Sequence, residues 1–448
     1  MIDIRQLRED PQRFIAGAQA KGIEADIPQL LELDGKLSEA RKQLQDVRTA
    51  QNAAGKQIAQ LKGPDKPKAI AEMASLKEQA KSLDEQIGDL EPRVNLLLMQ
   101  VPQPPDADVP VGAASQDNIE KFRWSPSWFD PARGFADNKG FAPKTHIELG
   151  QALGLLDLER GVKMAGTRSY VLTGRGMQLH QAALRLAFDY MVYENGFTPI
   201  SVPVLVREQM MEGTGFFPFG KEQAYQVNES QRGGGQDLYL TGTGEVGLMG
   251  LHADEILEGA SLPRRYVTVS TCFRREARAA GKDTAGLYRI HQFDKVEQVV
   301  LCRADEQESR SWHTRMIGFV QALMQRLELP YRLLQCCTAD LGAKNADMID
   351  IETWMPGRGE AGADGRPMGE YGETHSASRL YDFQCRRLNL RYRDAATRKP
   401  VICHSLNNTV LASPRILIPL IELYQNADGT VTVPAALRPY MGGLEVIS

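Results

Sequence analysis

The sequence predicts an α+β protein in which a largely antiparallel sheet follows an N-terminal antiparallel helical hairpin. Three observations predict it. Two heptad seams separated by a proline-rich break occupy residues 30–101. Alternating, strand-like runs dominate beyond residue 196. The helical runs among them do not follow the strict strand–helix alternation of a doubly wound fold.

The hairpin comes first. From Leu30 through Leu37, Leu44, Gln51 and Ile58 to Leu61, seam residues recur at spacings of three and four. Gly63-Pro64-Asp65-Lys66-Pro67 breaks the helix, and a second seam runs from Met73 through Leu83 and Leu90 to Val101. At 1.5 Å per residue each helix would extend roughly 45 Å. Pro92 should kink or end the second one. Residues 27–101 carry eleven basic and eleven acidic side chains. So thin a hairpin has little core of its own and reads as a projecting arm, serving either dimerisation or contact with a ligand.

PQPPDADVPVG (102–112) reads as an extended linker. Residues 177–194 form a helix stopped by Asn195-Gly196, and FTPISVPVLV (197–206) forms a strand suited to an edge or interface. Further strands are expected at 264–276, 286–301, 331–336 and 348–354, with mixed structure at 385–393. Helices are expected at 305–328 and 414–425.

With 448 residues, 42% hydrophobic and 25% charged, the composition is that of a globular protein. A net charge of −4 gives no global positive field, so a nucleic-acid partner would need a local basic stripe. No apolar run approaches the roughly 20 residues of a membrane span, and MIDIRQLREDPQRF lacks the apolar core of a signal peptide. A cytoplasmic protein without a membrane partner is the expectation. All six cysteines follow residue 270 and none forms a CxxC pair, which suggests reduced, mostly buried thiols and no structural zinc.

Four stretches carry chemistry. FRREARAAGKDTAGLYRIHQFDKVEQ (273–298) loads a strand pair with charge. Alternation puts Arg274 and Glu276 on one face of its first strand, and Arg289, His291, Phe293, Lys295 and Glu297 on one face of its second. Arginine forks bind phosphate or carboxylate and a phenyl ring stacks on a base, whereas the plainer reading is a solvated face with incidental ion pairs. In SPRILIPLIELYQ (413–425), Ser413 suits a helix cap and Pro414 the first helical position. Arg415 would then meet the positive end of the helix dipole, facing either a bound anion or solvent. YLTGTGEVGL (239–248) offers Thr243 and Glu245 around Gly244, and EYGETHSASRLYDFQCRR (370–387) clusters Glu373, His375 and Ser376, an oxygen-rich set for Mg²⁺.

Together these stretches resemble the class II aminoacyl-tRNA synthetases, specifically the seryl-tRNA synthetases of the bacterial type. The likeness spans nearly the whole chain. MIDIRQLREDP, the arm and HIELGQALGLLDLERG (146–161) are similar to that family, and GFTPISVPVLV (196–206) resembles its motif 1, which builds a dimer interface. The charged hairpin resembles motif 2. HSLNNTVLASPRILIPLIELYQ (404–425) resembles motif 3, and VPAALRPYMGG (433–443) its usual sequel.

The resemblance implies a tRNA-binding unit at 1–112, with its arm at about 27–101, and a class II catalytic domain at 113–448. It implies activation of L-serine by ATP with Mg²⁺ and transfer of the seryl group to tRNA(Ser), with tRNA(Sec) a second acceptor, by a homodimer. Serine would be bound by Thr243, Gly244, Glu245, Arg274, Glu297, Asn407 and Thr409. ATP would be bound by Arg274, Arg275, Glu276, Phe293, Glu373, Thr374, His375, Ser376 and Arg415. Arg274 and Arg415 would be catalytic, holding the α- and γ-phosphates, and Glu373 with Ser376 would carry Mg²⁺. The arm would grip serine tRNA through basic residues such as Arg41, Lys42, Arg48, Lys56, Lys77 and Lys81.

Some positions depart from the family pattern. Gly244 stands where Ala or Ser is usual, which should open a little space, and Gly372 stands where many relatives have Arg. Arg278 and Ala285 alter the motif 2 loop. An aminoacyl-carrier-protein ligase would lack the arm, and a non-catalytic relative would lose motif 2 or 3 arginines. The intact heptads, Arg274 and Arg415 argue against both.

Overall fold

The computed structural model describes residues 1–277, 286–362 and 365–448. The chain divides into two compact units, Met1–Pro104 and Pro105–Ser448.

In the first unit, α1 (Ile27–Gln60) and α2 (Asp65–Gln100) form the helical hairpin. Asp26 caps α1, accepting from the Gln29 amide at 3.0 Å, and Pro28 sits within its first turn. The seam is buried from Leu30 to Leu44 and at Leu90, Val94 and Leu98, and becomes half-buried further out. Arg41 donates to Glu91 at 2.6 Å and Arg48 to Asp84 at 3.0 Å across the hairpin. Exposed pairs of this kind contribute about 0–1 kcal/mol each, so they set register more than stability. Pro92 does not end α2, contrary to the sequence expectation. Burial of Leu90, Val94 and Leu98 on the neighbouring turns offsets the hydrogen bond lost at the proline.

In the second unit an eight-stranded sheet dominates. Its strands are β1 (Ile119–Trp124), β2 (Thr198–Pro199), β3 (Arg264–Phe273), β4 (Gln292–Cys302), β5 (Tyr331–Gln335), β6 (Asp347–Met355), β7 (Glu370–Tyr381) and β8 (His404–Ser413), in the spatial order β1-β5-β6-β7-β8-β4-β3-β2. Every pairing is antiparallel except β2 with β3. The expected strand at 197–206 is split into Thr198–Pro199 and Leu205–Arg207. Pro199 and Pro203 cannot donate to a ladder.

Helix α3 (Gly174–Asp189) is followed by a wider π turn at Tyr190–Glu194. Helix α4 (Glu245–Gly250) begins directly after Gly244. Helix α5 (Glu306–Arg326) covers one face of the sheet and buries Met316, Val320, Leu323 and Met324 completely. Burial of each such side chain stabilises by roughly 1.5–3 kcal/mol. The Met316 carbonyl accepts from Gln298 Nε2 on β4 (3.2 Å) and Asn408 Nδ2 on β8 (3.1 Å), so these amides point toward α5. Their neighbours Glu297, Asn407 and Thr409 therefore face the other way.

Residues 105–112 are not a free linker. Asp106 accepts from Arg379 Nε (3.0 Å) and the Tyr381 hydroxyl (3.0 Å), and its amide donates to the Ala346 carbonyl at 2.8 Å. The prolines keep the segment extended while Asp106 fastens it to β7.

Candidate active site

The face of the sheet opposite α5 carries a buried polar cluster. Lys295 and Glu297 alternate along β4, opposite Ser270 and Thr268 of β3. Lys295 Nζ is ion-paired with Glu297, donates to Thr243 Oγ1 at 2.9 Å and lies 3.4 Å from Thr409 Oγ1. Burial pushes the Glu297 carboxyl up from its ordinary range, against the pull of Lys295. The turn before α4 brings in Glu245. Its carboxylate accepts from Lys344 Nζ at 2.7 and 2.8 Å, from Gln384 Nε2 at 2.6 Å and from Asn407 Nδ2. Ammonium, carboxylate and hydroxyl groups thus converge in one small space, which suits a zwitterion bearing a hydroxyl.

A cleft adjoins this cluster, lined by Arg274, Glu276, Tyr288, Ile290, Phe293, Lys295, Glu373, Thr409 and Arg415 among others. Arg274 lies over the Phe293 ring, 5.3 Å from its centroid, and its Nε donates to the Gly242 carbonyl at 3.3 Å. Glu276 Oε2 pairs with Arg289 Nη1 at 3.1 Å. Arg415 donates from Nε to the Tyr288 carbonyl (3.1 Å) and from Nη1 to the Glu373 carbonyl (3.0 Å), and packs over the Tyr288 ring at 4.5 Å. Two guanidinium groups therefore bracket a cleft with an aromatic wall, an arrangement for a planar ring with an anionic tail.

One irregularity decides what β7 presents. Between Ile351 and Glu352 the β6–β7 register slips, so that Ile351 faces His375 while Glu352 faces Glu373, and Thr374 is the extra residue. Strict alternation would set Glu373 and Ser376 on opposite faces. The bulge puts both on the face of Glu352 and Asp350. Asp350 Oδ1 is a buried oxygen with no hydrogen-bond partner, and burial, then Glu373, raises its carboxyl well above the ordinary range. Glu373, Ser376 and Asp350 form an oxygen-rich set that fits a hard divalent cation. Asp350 also lies near Cys336 and Asp340, but a thiol is a soft donor that hard divalent cations disfavour.

Two family models match the chain: a seryl-tRNA synthetase N-terminal domain over residues 1–105 and a tRNA synthetase class II core domain (G, H, P, S and T) over 225–424. The serine–tRNA ligase of Deinococcus radiodurans is 40% identical over 447 residues, covering 100% of this chain and 99% of that protein. The chain belongs to the seryl-tRNA synthetase family. The serine–tRNA ligase of Thermomicrobium roseum is 38% identical, covering 100% of this chain and 95% of that protein. Among solved structures, the seryl-tRNA synthetase of Pyrococcus horikoshii complexed with ATP superposes with a TM-score of 0.87 at 35% identity, covering 100% of this chain and 99% of that one. The cytoplasmic enzyme of Naegleria fowleri in complex with AMP gives 0.84 at 28% identity, with the same coverage.

Several expected site residues stand differently from the sequence reading. Strand β3 ends at Phe273 and β4 begins at Gln292, so Arg274, Glu276, Arg289 and His291 lie on irregular backbone, with Glu276 at a positive φ of 52°. Arg275 turns away from the cleft, its Nη1 donating to the Glu222 carbonyl at 3.3 Å. Thr374 and His375 line the cleft, yet the Thr374 hydroxyl is engaged by Thr353 (2.8 Å) and His375 Nδ1 (2.8 Å). Burial drives the His375 imidazole down to about 3, so it is neutral. Arg415 is not in a helical first turn, because α6 (Leu417–Leu423) starts two residues later. Ser413 ends β8 and its hydroxyl bonds His180 Nδ1 at 2.8 Å, so it cannot cap. Arg278 and Ala285 lie outside the described residues.

The sequence reading did not assign Lys344, Gln384, Tyr288 or Asp350 to the site, nor Lys295 a role in it. Lys295 carried a signal, since alternation already placed it beside Glu297. Lys344 and Gln384 lie far from Glu245 in sequence and gave none.

Gly244 does not open space. A Cβ there would lie 2.4 Å from Thr268 Cγ2 and 2.8 Å from Ser270 Oγ. The threonine methyl fills the volume that a larger residue would take. Gly244→Ala is expected to destabilise by about 1–3 kcal/mol through overpacking and to raise KM for serine by displacing Thr243. Thr268→Ser on that background removes the clashing methyl and should restore most of the melting temperature; thermal unfolding of both variants measures this.

Proposed function

We propose that this chain is a serine–tRNA ligase whose sheet face opposite α5 is the adenylation site. The observation that carries this reading is the polar cluster of Thr243, Glu245, Lys295, Glu297 and Thr409 opening onto a cleft bracketed by Arg274 and Arg415. Serine sits in the cluster, its hydroxyl near Thr409 and its ammonium among the carboxylates. A ligand without the hydroxyl leaves buried polar groups unpaired there. The adenine lies against Phe293 with its amino group toward Glu276, and the phosphates run toward Arg415.

A serine carboxylate oxygen then attacks the α-phosphorus, the bond to the β-phosphate breaks, and pyrophosphate leaves with the bonding electrons. Arg274 aligns the carboxylate with the α-phosphate, and Arg415 neutralises the tail. Both guanidinium groups are held before substrate arrives, so little reorganisation is needed as charge develops. Glu373 and Ser376, with Asp350 beside them, would hold Mg²⁺, which neutralises phosphate charge when bound. The terminal ribose of tRNA(Ser) then takes the seryl group, and AMP leaves.

The helical arm serves as the tRNA grip, by shape and backbone contact. Arg41 and Arg48 already engage Glu91 and Asp84, so Lys42, Lys56, Lys77 and Lys81 are its better-placed cations. The partly exposed apolar residues Leu205 (39%) and Val269 (43%), the latter on the strand that pairs with the short β2 edge, suit a homodimer interface. Among the described residues no helix is long and apolar enough to cross a membrane, and a cytoplasmic site of action is the reading we adopt. By resemblance, tRNA(Sec) is a second acceptor.

Serine-dependent ATP–pyrophosphate exchange followed by charging of tRNA(Ser) tests this. Exchange with serine at least about 100-fold above alanine and glycine is expected for a site that pairs the hydroxyl; no exchange, or equal exchange with all three, would sink the assignment.

A further inference from the structure

We infer that His146 is a positioning residue for adenylation. Held by Glu422 on one side, it accepts the Leu287 amide on the other and so fixes Tyr288 where Arg415 meets it. This rests on the nucleotide placement proposed above, in which Arg415 takes the phosphate tail.

Local sequence fixes the ring first. Thr145 and Glu148 form a capping box for the short helix His146–Ala152. The Thr145 hydroxyl accepts from the Glu148 amide at 3.3 Å, and Glu148 Oε2 accepts from the Thr145 amide at 2.7 Å. His146 is the first helical residue, so its own amide has no partner within the helix. Glu422 of α6 supplies one. Its Oε1 lies 2.8 Å from that amide and 2.7 Å from His146 Nδ1, while its Oε2 accepts from the Gly357 amide at 2.7 Å. Both residues are buried.

These contacts decide the tautomer. A carboxylate opposite Nδ1 places the ring proton on that nitrogen, which leaves the Nε2 lone pair as an acceptor. The Leu287 amide donates to it at 3.2 Å. The chain just before Leu287 runs close against the imidazole. A Cβ on Gly286 would lie 2.2 Å from Nε2, and the Gly286 φ is +75°, so the approach requires glycine.

Tyr288, one residue on, is thereby fixed from behind. In front, its carbonyl accepts from Arg415 Nε at 3.1 Å and its ring centroid lies 4.5 Å from that guanidinium. Its hydroxyl donates to the Glu373 carbonyl at 3.2 Å, the same carbonyl that accepts from Arg415 Nη1. Arg415 and Glu422 belong to one segment, Arg415 just before α6 and Glu422 near its end. That segment grips residues 287–288 twice, directly through Arg415 and indirectly through the imidazole. Loss of the Nε2 acceptor leaves the Leu287 amide a buried donor without a partner. The peptide ahead of the Tyr288 carbonyl is then free to turn, and Arg415 loses its aim.

Two variants separate the ring's two nitrogens. His146→Asn keeps a donor near the Nδ1 position and removes the acceptor, whereas His146→Gln places a carbonyl oxygen near the Nε2 position. In serine-dependent pyrophosphate exchange, His146→Asn is expected to raise KM for ATP by about tenfold, the scale of one buried hydrogen bond. KM for serine should stay within about twofold. His146→Gln should keep KM for ATP within about threefold of wild type, although it loses the same ring. On an Arg415→Gln background, His146→Asn should add less than about twofold to KM for ATP, because both act through one guanidinium. An unchanged ATP constant in His146→Asn would overturn the proposal. So would equal rises in the Asn and Gln variants, serine and ATP constants rising together, or the full effect persisting without Arg415, since each marks a merely structural histidine. His146→Gln alone suffices to refute it, through a tenfold rise in a variant that keeps the acceptor. The ATP constant of Arg415→Gln tests the nucleotide placement by itself, so the two failures are distinguishable.

Discussion

Arg274→Gln and Arg415→Gln are each expected to lower kcat for serine-dependent pyrophosphate exchange by about 100- to 1000-fold, the usual cost of removing one preorganised donor from developing charge. The two should differ in what else they change. Arg274 lies over Phe293 and beside Gly242, between the cluster and the cleft, so its loss should raise KM for both serine and ATP. Arg415 contacts Tyr288 and both the carbonyl and the carboxylate of Glu373, away from the polar cluster, so its loss should raise KM for ATP and leave serine nearly untouched. Melting temperatures should move little, since neither guanidinium is part of the hydrophobic core. Steady-state exchange with each substrate varied in turn resolves the two patterns. A loss of less than tenfold for both would show that the cleft is not where the phosphates react.

Excising Asp46–Gln86 and bridging Gln45 to Ile87 with a short glycine turn is expected to leave exchange within about twofold while charging of tRNA(Ser) falls by more than about 100-fold. The cut keeps the buried base of the hairpin, Leu30 to Leu44 against Leu90 to Leu98. It removes the outer part, where seam residues are only half-buried. The half-buried stretch adds little to folding, so its retention in the chain points to a use beyond stability. If charging persisted in this variant, the arm would be a stability or assembly element. The charging defect of a genuine tRNA grip should also deepen with salt, because phosphate contacts release counterions.

The arm was legible because a heptad is a long signal in which a single proline changes little, as Pro92 shows. Strands β3 to β6 were legible through alternation, to within a few residues at most ends. Strands β7 and β8 were read as chemistry and not as strands. Both lie inside the sheet with neighbours on each side, and His375, Ser376, Arg379, Asn407 and Asn408 break the apolar rhythm because each serves the site or a buried polar contact. Thr243 and Glu245 drew notice through their own local pattern, and the fold places both in the buried polar cluster. Lys344 and Gln384, which hold Glu245, became visible only when distant loops were folded together. Arg415 was noticed for a reason that failed: the helix start lies beyond it, and its setting is the tyrosine ring and two carbonyls.

The single extra residue in β7 works as a phase shift along one continuous ribbon. N-terminal to Thr374 the strand turns Glu373 to the face of Glu352; C-terminal to it Ser376 takes the same face while Ala377 is fully buried on the other, beside Ile317 and Ile349. A ribbon without the shift could satisfy one of these two sets of partners and would turn the other set's side chains to the wrong face. Within twelve residues one strand thus keeps Glu373 and Ser376 on a common face while Ala377 stays in register with the packed interior.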